Sequence, residues 1–250
     1  MNLNIPDTRQ MELTRRLQSG LQVVAAEVAE EFDVSLDTIR RDILALEAEG
    51  KARRVRGGAV PLVAPAQPLH ERLAGQVPPA PNLVDAAVRE IGSAATLMVD
   101  GGTTVLAVID NLPRQDDRLV MTPSPWVAIS CQQRGIQVFL LGGSLRPQGG
   151  IATGDLALAG ASDVAVDIAL LGACGLEAGF GLSSDDAEEA MMKRAMHGAT
   201  NRTIVATDSS KIGRRARHRT LPLSEIDVVV TDLENNATAE ISAMTRVVSR

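Results

Sequence analysis

The sequence predicts an α/β chain in two unequal parts: a small winged helix-turn-helix unit, then a larger, mainly parallel α/β domain. Three observations carry this. Two short amphipathic helical patterns near the N-terminus are separated by only Asp33 and Val34, and a basic hairpin pattern follows them. Six of the chain's 12 prolines fall between Pro61 and Pro81, a composition that suits a semi-rigid connector. Beyond that run, short apolar strands alternate with helical patterns, which implies a parallel sheet covered on both faces. The expected units are 1–60, a linker over 61–81, and 82–250.

In chain order, Arg9 to Leu17 carries apolar Met11, Leu13 and Leu17, enough for a short helix that Gly20 ends. Ala25 to Phe32 forms the next, with Val28, Ala29 and Phe32 inward. Then comes VSLDTIRRDILALEAEG, Val34 to Gly50. Ser35 is a good N-cap, because its hydroxyl can accept an unpaired first-turn amide. Val34 and Ile39 fit a hydrophobic staple. Leu36, Ile39, Ile43 and Leu46 recur every three or four residues and mark the buried stripe. Thr38 and Arg41 point away from it, and Arg40 lies on its flank. Gly50 stops the helix. GKARRVRGGAV follows, with Lys51, Arg53, Arg54 and Arg56 and no acid among them. A basic hairpin there reaches phosphates or a minor groove, and its cations give salt-dependent affinity by releasing counterions. The candidate DNA contacts are Ser35, Thr38, Arg40, Arg41, Arg53, Arg54 and Arg56.

In the linker, Leu69 to Arg72 is a small island of order able to dock on a domain. After it, a helix from Leu83 to Ile91 leads to the strand Thr96–Asp100, and GGTT turns into a helix from Val105 to Asn111. Strands at Leu119–Thr122, Ile136–Leu141, Asp167–Leu171, Thr203–Ala206 and Val228–Thr231 complete the sheet. Helices over Trp126–Gln133 and Ala187–Ala199 lie between them. Ligands of open α/β sheets collect beyond the carboxyl ends of the strands. Three Gly-rich turns sit at such ends: DGGTT, LGGSLRPQGG and LGACG. In the first, glycines admit a ligand to the backbone, a helix N-terminus favours an anion and two threonines offer hydroxyls. Together with Lys193 and Lys211, the three turns point to an anionic ligand.

Bulk composition limits the alternatives. Hydrophobic residues make up 45% of the 250, enough for a real core, but aromatics only 2%, so that core is aliphatic. Cys131 and Cys174 fit no disulfide framework or metal site, and the three histidines are scattered, so no metal or cofactor is expected. No signal peptide pattern or bilayer-length apolar run is present, which predicts a cytoplasmic protein without a membrane partner. The net charge of −6 does not exclude DNA binding, because the local distribution decides.

The Val34–Gly50 stretch with RRVRGGA resembles the N-terminal domain of the DeoR family of bacterial transcriptional regulators. Ile43 stands where that family usually has leucine, and Arg56 where it usually has histidine. The resemblance continues through DGGTT, LGGSLR, GGIATGD, LLGACGLEAGFGLSS, the Glu189–Met196 helix and DSSKIG. It implies a sensor domain similar to ribose-phosphate isomerases and coenzyme A transferases. It also implies a homo-oligomer that binds double-stranded operator DNA, represses a carbohydrate or polyol operon and releases it on binding a phosphorylated sugar-like effector. Carried onto this chain, it nominates Asp100, Gly102, Thr103, Thr104, Gly142, Gly143, Arg146, Lys193 and Lys211 for the effector. The family usually places a lysine at the position aligned near Ala80 and Thr-Asn where this chain has Thr122-Pro123. A regulator whose sensor is altered or inactive is therefore the second reading. An isomerase fused to a DNA-binding unit is the third; it lacks an acid in LGACG, and Glu177 is a poor nucleophile, so no catalytic residue is expected.

Overall fold

The computed structural model describes residues 5–18, 22–49, 51–61, 67–75 and 78–249. The positions of Gly20, Gly50 and Pro65, and linker residues 62–66 and 76–77, lie outside these. The N-terminal unit comprises α1 (Pro6–Gln18), β1 (Val23–Val24), α2 (Ala25–Glu31), α3 (Leu36–Ala48), β2 (Ala52–Val55) and β3 (Gly58–Pro61). The strands form an antiparallel sheet in the order β1-β3-β2. Asp33, at φ 52, makes the sharp turn between α2 and α3; aspartate tolerates the left-handed region better than most residues. Gly57, at φ 91, makes the wing turn.

One aliphatic core, including Leu13, Leu17, Val28, Phe32, Ile39, Ile43 and Leu46, holds these elements together. Two expected core positions differ. Met11 is 68% exposed and Leu36 37% exposed. In their place Arg9 and Asp42 turn inward and pair, with Arg9 Nε 2.5 Å from Asp42 Oδ2. Gln10 Nε2 donates to the other carboxylate oxygen at 2.9 Å. The pair ties α1 to α3 across 33 residues of sequence.

The remainder begins with α4 (Leu69–Gly75) and α5 (Pro81–Ile91), the latter burying Leu83, Ala87 and Ile91. Then follow β4 (Thr96–Val99), α6 (Thr103–Asn111), β5 (Leu119–Thr122), α7 (Pro125–Gln133) and β6 (Gln137–Leu140). A hairpin of β7 (Ser144–Arg146) and β8 (Ile151–Thr153) leads to α8 (Asp155–Ser162) and β9 (Ile168–Gly172). β10 (Gly175–Glu177), β11 (Gly181–Ser184), α9 (Ala187–Gly198), β12 (Thr203–Ala206), β13 (His218–Leu221), β14 (Val228–Val230), α10 (Asn236–Ser242) and β15 (Arg246–Val248) complete it.

Seven strands form a wholly parallel sheet, β15-β14-β12-β9-β4-β5-β6. Alternate residues of each inner strand face opposite layers. Leu97, Val99, Leu170 and Ile204 pack beneath α5, α6 and α7. Met98, Ala169, Leu171 and Val205 pack toward α8 and α9. All six expected strands are present. The hairpin β7–β8, α8, the antiparallel sheet β10-β11-β13, α10 and edge strand β15 go beyond the sequence expectation. Strand order runs β4-β5-β6 in one direction and β9-β12-β14-β15 in the other, so the topological switch lies between β4 and β9, the position where ligands collect.

Removing one partner of the Arg9–Asp42 pair leaves a buried charge uncompensated. Asp42→Ala is expected to destabilise the N-terminal unit by about 3–5 kcal/mol, and the double replacement Arg9→Leu with Asp42→Leu by much less. Scanning calorimetry of the full chain checks this. A loss under about 1 kcal/mol for the single variant would mean that water reaches the pair.

Candidate functional site: a basic helix–wing groove and a pocket at the sheet switch

Ser35 caps α3, accepting the Thr38 amide at 3.1 Å, and its hydroxyl lies 2.8 Å from that of Thr38. The first turn of the helix is thereby fixed. Arg40 and Arg41 are exposed one turn further on. Together with Arg54 and Arg56 of the wing they line a groove of about 700 Å³ between helix and hairpin. Arg53 is exposed outside that lining, as is Ser35 at the helix start. Two of these arginines have carboxylate neighbours: Arg41 with Asp37 at 2.5 Å and Arg54 with Glu47 at 3.5 Å. Exposed pairs of this kind contribute about 0–1 kcal/mol, too little to hold either guanidinium against a phosphate. Among the described residues no ion pair engages Arg40, Arg53 or Arg56.

The second site is a pocket of about 490 Å³ at the switch point. Asp100 ends β4, and its carboxylate accepts from the Gly172 amide at the end of β9, at 3.0 Å. Lys193, buried on α9, lies 3.0 Å from the same carboxylate and donates to Gly172 O at 2.7 Å. Burial pushes the lysine's pKa down, but the carboxylate of Asp100 beside it outweighs this and holds the ammonium above its usual value. Asp100 and Lys193 therefore neutralise each other at the pocket floor.

Above that floor α6 begins at Thr103. Its N-cap is Gly102, at φ 106, and no side chain caps it. Thr103 and Thr104 line the pocket with Gly102. Arg146 is paired with Glu188 at 2.7 Å, and Lys211 with Asp208 at 3.1 Å. Burial raises the Asp208 carboxyl, but Lys211 and the Ser210 hydroxyl outweigh it and hold it below the usual range. Gly142 and Gly143 do not line the pocket. Gly143 instead lies against the Thr153 carbonyl and Ala157, where the hairpin packs on α8. The loop after that hairpin strand reaches the pocket at Gln148 and Gly149.

Three lining cations escape the sequence expectation. Arg72 comes from α4, and Arg214 and Arg217 from the segment after Lys211. Among the described residues none of the three has a carboxylate partner, and Arg214 Nε is buried without an acceptor. The sequence offers two signals for them, the island of order at Leu69 to Arg72 and a basic run from Arg214 to Arg219. Ala80, at the position of the absent lysine, caps α5 and does not line the pocket.

Glu189 is the other unexpected member. It is buried in the wall, burial raises its carboxyl above the usual range, and Oε1 has no hydrogen-bond partner among the described residues. Such a group suits a hydroxyl of a bound molecule. Cys174 also lines the pocket, where burial pushes its thiol up, so it is not a thiolate nucleophile at neutral pH. Glu177 is held by Arg215 at 2.9 Å, which stacks on Phe180 at 4.6 Å. Among the described residues no three metal-ligating side chains converge, and no helix is long and apolar enough to cross a membrane.

Comparison with known proteins matches residues 9–62 to the DeoR-like helix-turn-helix domain and residues 82–233 to the DeoR C-terminal sensor domain. The HTH-type transcriptional regulator GlpR of Haloferax volcanii is 31% identical over 82% of this chain and 81% of its own length. The glycerol-3-phosphate regulon repressor of Escherichia coli is 31% identical over 84% of each. The HTH-type transcriptional repressor GlcR of Bacillus subtilis is 29% identical over 90% of this chain and 88% of its own. Ribose 5-phosphate isomerase A from Methanocaldococcus jannaschii overlaps 52% of each chain at 17% identity and a TM-score of 0.38.

The raised carboxyl of Glu189 has a stability signature. The unfolded side chain loses its proton first as pH rises, so the wild type loses stability between the unfolded and folded pKa values. Glu189→Gln, neutral throughout, is expected to melt higher relative to wild type at about pH 8 than at about pH 4. Melting curves at the two pH values check it; an equal difference at both would mean that Glu189 is solvated.

Proposed function

The chain belongs to the DeoR family of DNA-binding transcriptional regulators, and on that premise we propose that it represses an operon for the use of a carbohydrate or polyol. A phosphorylated sugar or polyol bound at the switch-point pocket relieves the repression. The observation that carries the effector class is the charge balance of that pocket. Its lining carries six cations against four acids, Asp100, Asp185, Asp186 and Glu189. Lys193, Lys211 and Arg146 form ion pairs, Arg72, Arg214 and Arg217 form none among the described residues, and the uncapped start of α6 lines the same pocket. Excess positive charge at a helix N-terminus favours an anion. The unpartnered oxygen of Glu189 favours a hydroxyl at the other end of the same molecule.

This balance also supports a working sensor over an inactive one. The charge expected from a lysine near Ala80 is available from arginines elsewhere on the wall. A non-enzymatic role is supported by the neutral thiol of Cys174, the engagement of Glu177 with Arg215 and the absence of any acid from Gly172 to Gly175. Ser35, Thr38, Arg40, Arg41, Arg53, Arg54 and Arg56 are proposed to meet the operator, with α3 in the major groove and the wing on the backbone. A homo-oligomer is proposed, since one small winged helix on one half-site gives little specificity.

Two measurements test the reading. Arg41→Ala is expected to weaken binding to the operator by about 1–3 kcal/mol while leaving non-sequence-specific binding nearly unchanged. An equal loss on every sequence would make Arg41 a phosphate anchor. A thermal-shift screen against sugar phosphates, polyol phosphates and their unphosphorylated parents is expected to give a shift with a phosphorylated compound only. At a hundred times its dissociation constant the ligand adds about 2.7 kcal/mol. Thr103→Asp is expected to abolish that shift and leave DNA binding intact. A shift that survives the new carboxylate would place the anion elsewhere.

A further inference from the structure

The connector between the two units is anchored on the pocket itself. Leu69, the first residue of α4, is buried, and its amide donates to Pro147 O at 2.9 Å. A Cβ built on Gly150 would fall 2.2 Å from the Leu69 side chain, so Gly150 is a glycine that lets α4 sit close. One turn on, Arg72 donates from Nη2 to Gln148 O at 2.8 Å and from Nε to Gln67 O at 3.0 Å. Arg72 also lines the pocket. The backbone it grips is itself a pocket wall. Gly149 presses against the Glu189 carboxylate so closely that a Cβ there would lie 2.2 Å from Oε1. Loop Pro147–Gly150 is thus clasped between α4 on one side and Glu189 on the other.

We propose that Arg72 is an effector-binding residue, contributed by the connector, and that through it occupancy of the pocket acts directly on the covalent path to the DNA-binding unit. This rests on the phosphate-pocket reading above. A guanidinium has five donors, and two of its nitrogens are already committed to carbonyls, which fixes its plane. Its charge acts on the Glu189 carboxyl, but among the described residues no carboxylate forms an ion pair with it, so an anion entering the pocket gains a pre-positioned cation at little conformational cost. The bound anion gives α4 a third hold on the sensor wall. Only residues 62–68 separate β3 from α4, a span of at most about 28 Å when fully extended. Holding α4 on the pocket therefore limits where the helix-turn-helix unit can stand.

The experiment uses the full-length protein with Arg72→Ala, Arg72→Gln and Arg72→Lys. The probe is whichever phosphorylated sugar or polyol gives the largest thermal shift with the wild type. The DNA is a fragment selected by the wild type from a random pool. Arg72→Ala is expected to weaken probe binding at least tenfold. DNA release by saturating probe is expected to be lost in Arg72→Ala. Arg72→Gln, which keeps donors to the carbonyls without the charge, is expected to behave alike, and Arg72→Lys to recover part of the binding. Should any of the folded variants bind the probe like wild type after losing the charge, Arg72 is not an effector ligand and the inference falls while the pocket reading stands. Weakened binding with full DNA release at saturation would overturn the coupling. A wild type that answers to no phosphorylated probe, inorganic phosphate included, sinks the pocket reading and this inference with it.

Discussion

The sensor domain is organised around the buried contact of Asp100, Lys193 and Gly172. It joins the ends of β4 and β9, the two strands between which the sheet reverses its order, to the middle of α9. Either charge alone in that position would cost several kcal/mol in desolvation, so each requires the other. The consequence for chemistry is that the pocket's deepest cation is spent on its deepest anion. Lys193 stays protonated and bonded, and it is unavailable as a free amine. Any net attraction for an anion must come from the rim, where the arginines stand.

That division of labour resolves the question raised by the chain's acidic balance. With a net charge of −6, the molecule as a whole does not attract DNA or phosphate. In two places, among the described residues, lining cations outnumber lining carboxylates, and there the local field opposes the overall charge. One is the groove between α3 and the wing, and the other is the pocket mouth. Acids elsewhere keep the remaining surface from competing for the same ligands.

The helix-turn-helix unit was legible because its signals are local. The Ser35 cap, the stripe of Ile39, Ile43 and Leu46, and the run Lys51–Arg56 each lie within a few residues, and the structure forms the cap, buries the stripe and builds the hairpin from that run. The parallel strands were legible for the same reason. The Arg9–Asp42 pair was not, since Arg9 reads as a solvated helical charge until a partner 33 residues away is placed beside it. Glycine-dense LGGSLRPQGG read as one turn, because strands of three residues leave no period to detect. It folds back instead, delivering Gln148 and Gly149 to the pocket and leaving Gly142 and Gly143 outside it. Arg72 and Arg214 share this difficulty: they join the site only through chain reversals that no spacing announces.

The magnitudes also say how little is needed to make such a pocket a switch. A ligand shifts an equilibrium only by its difference in affinity for the two states. Couplings of about 1–3 kcal/mol, or 5- to 150-fold, are typical. A charge-assisted hydrogen bond contributes about 1.5–3 kcal/mol. One such bond, formed with the connector docked and absent with it released, therefore accounts for a full regulatory response. The rest of the pocket then has only to bind the effector equally well in both states. On this view the sheet, the Asp100–Lys193 floor and the α6 N-terminus set which molecule binds. The sign and size of the response then depend on Arg72, which belongs to the connector and lines the pocket at once, and on Leu69, which seats α4 beside it.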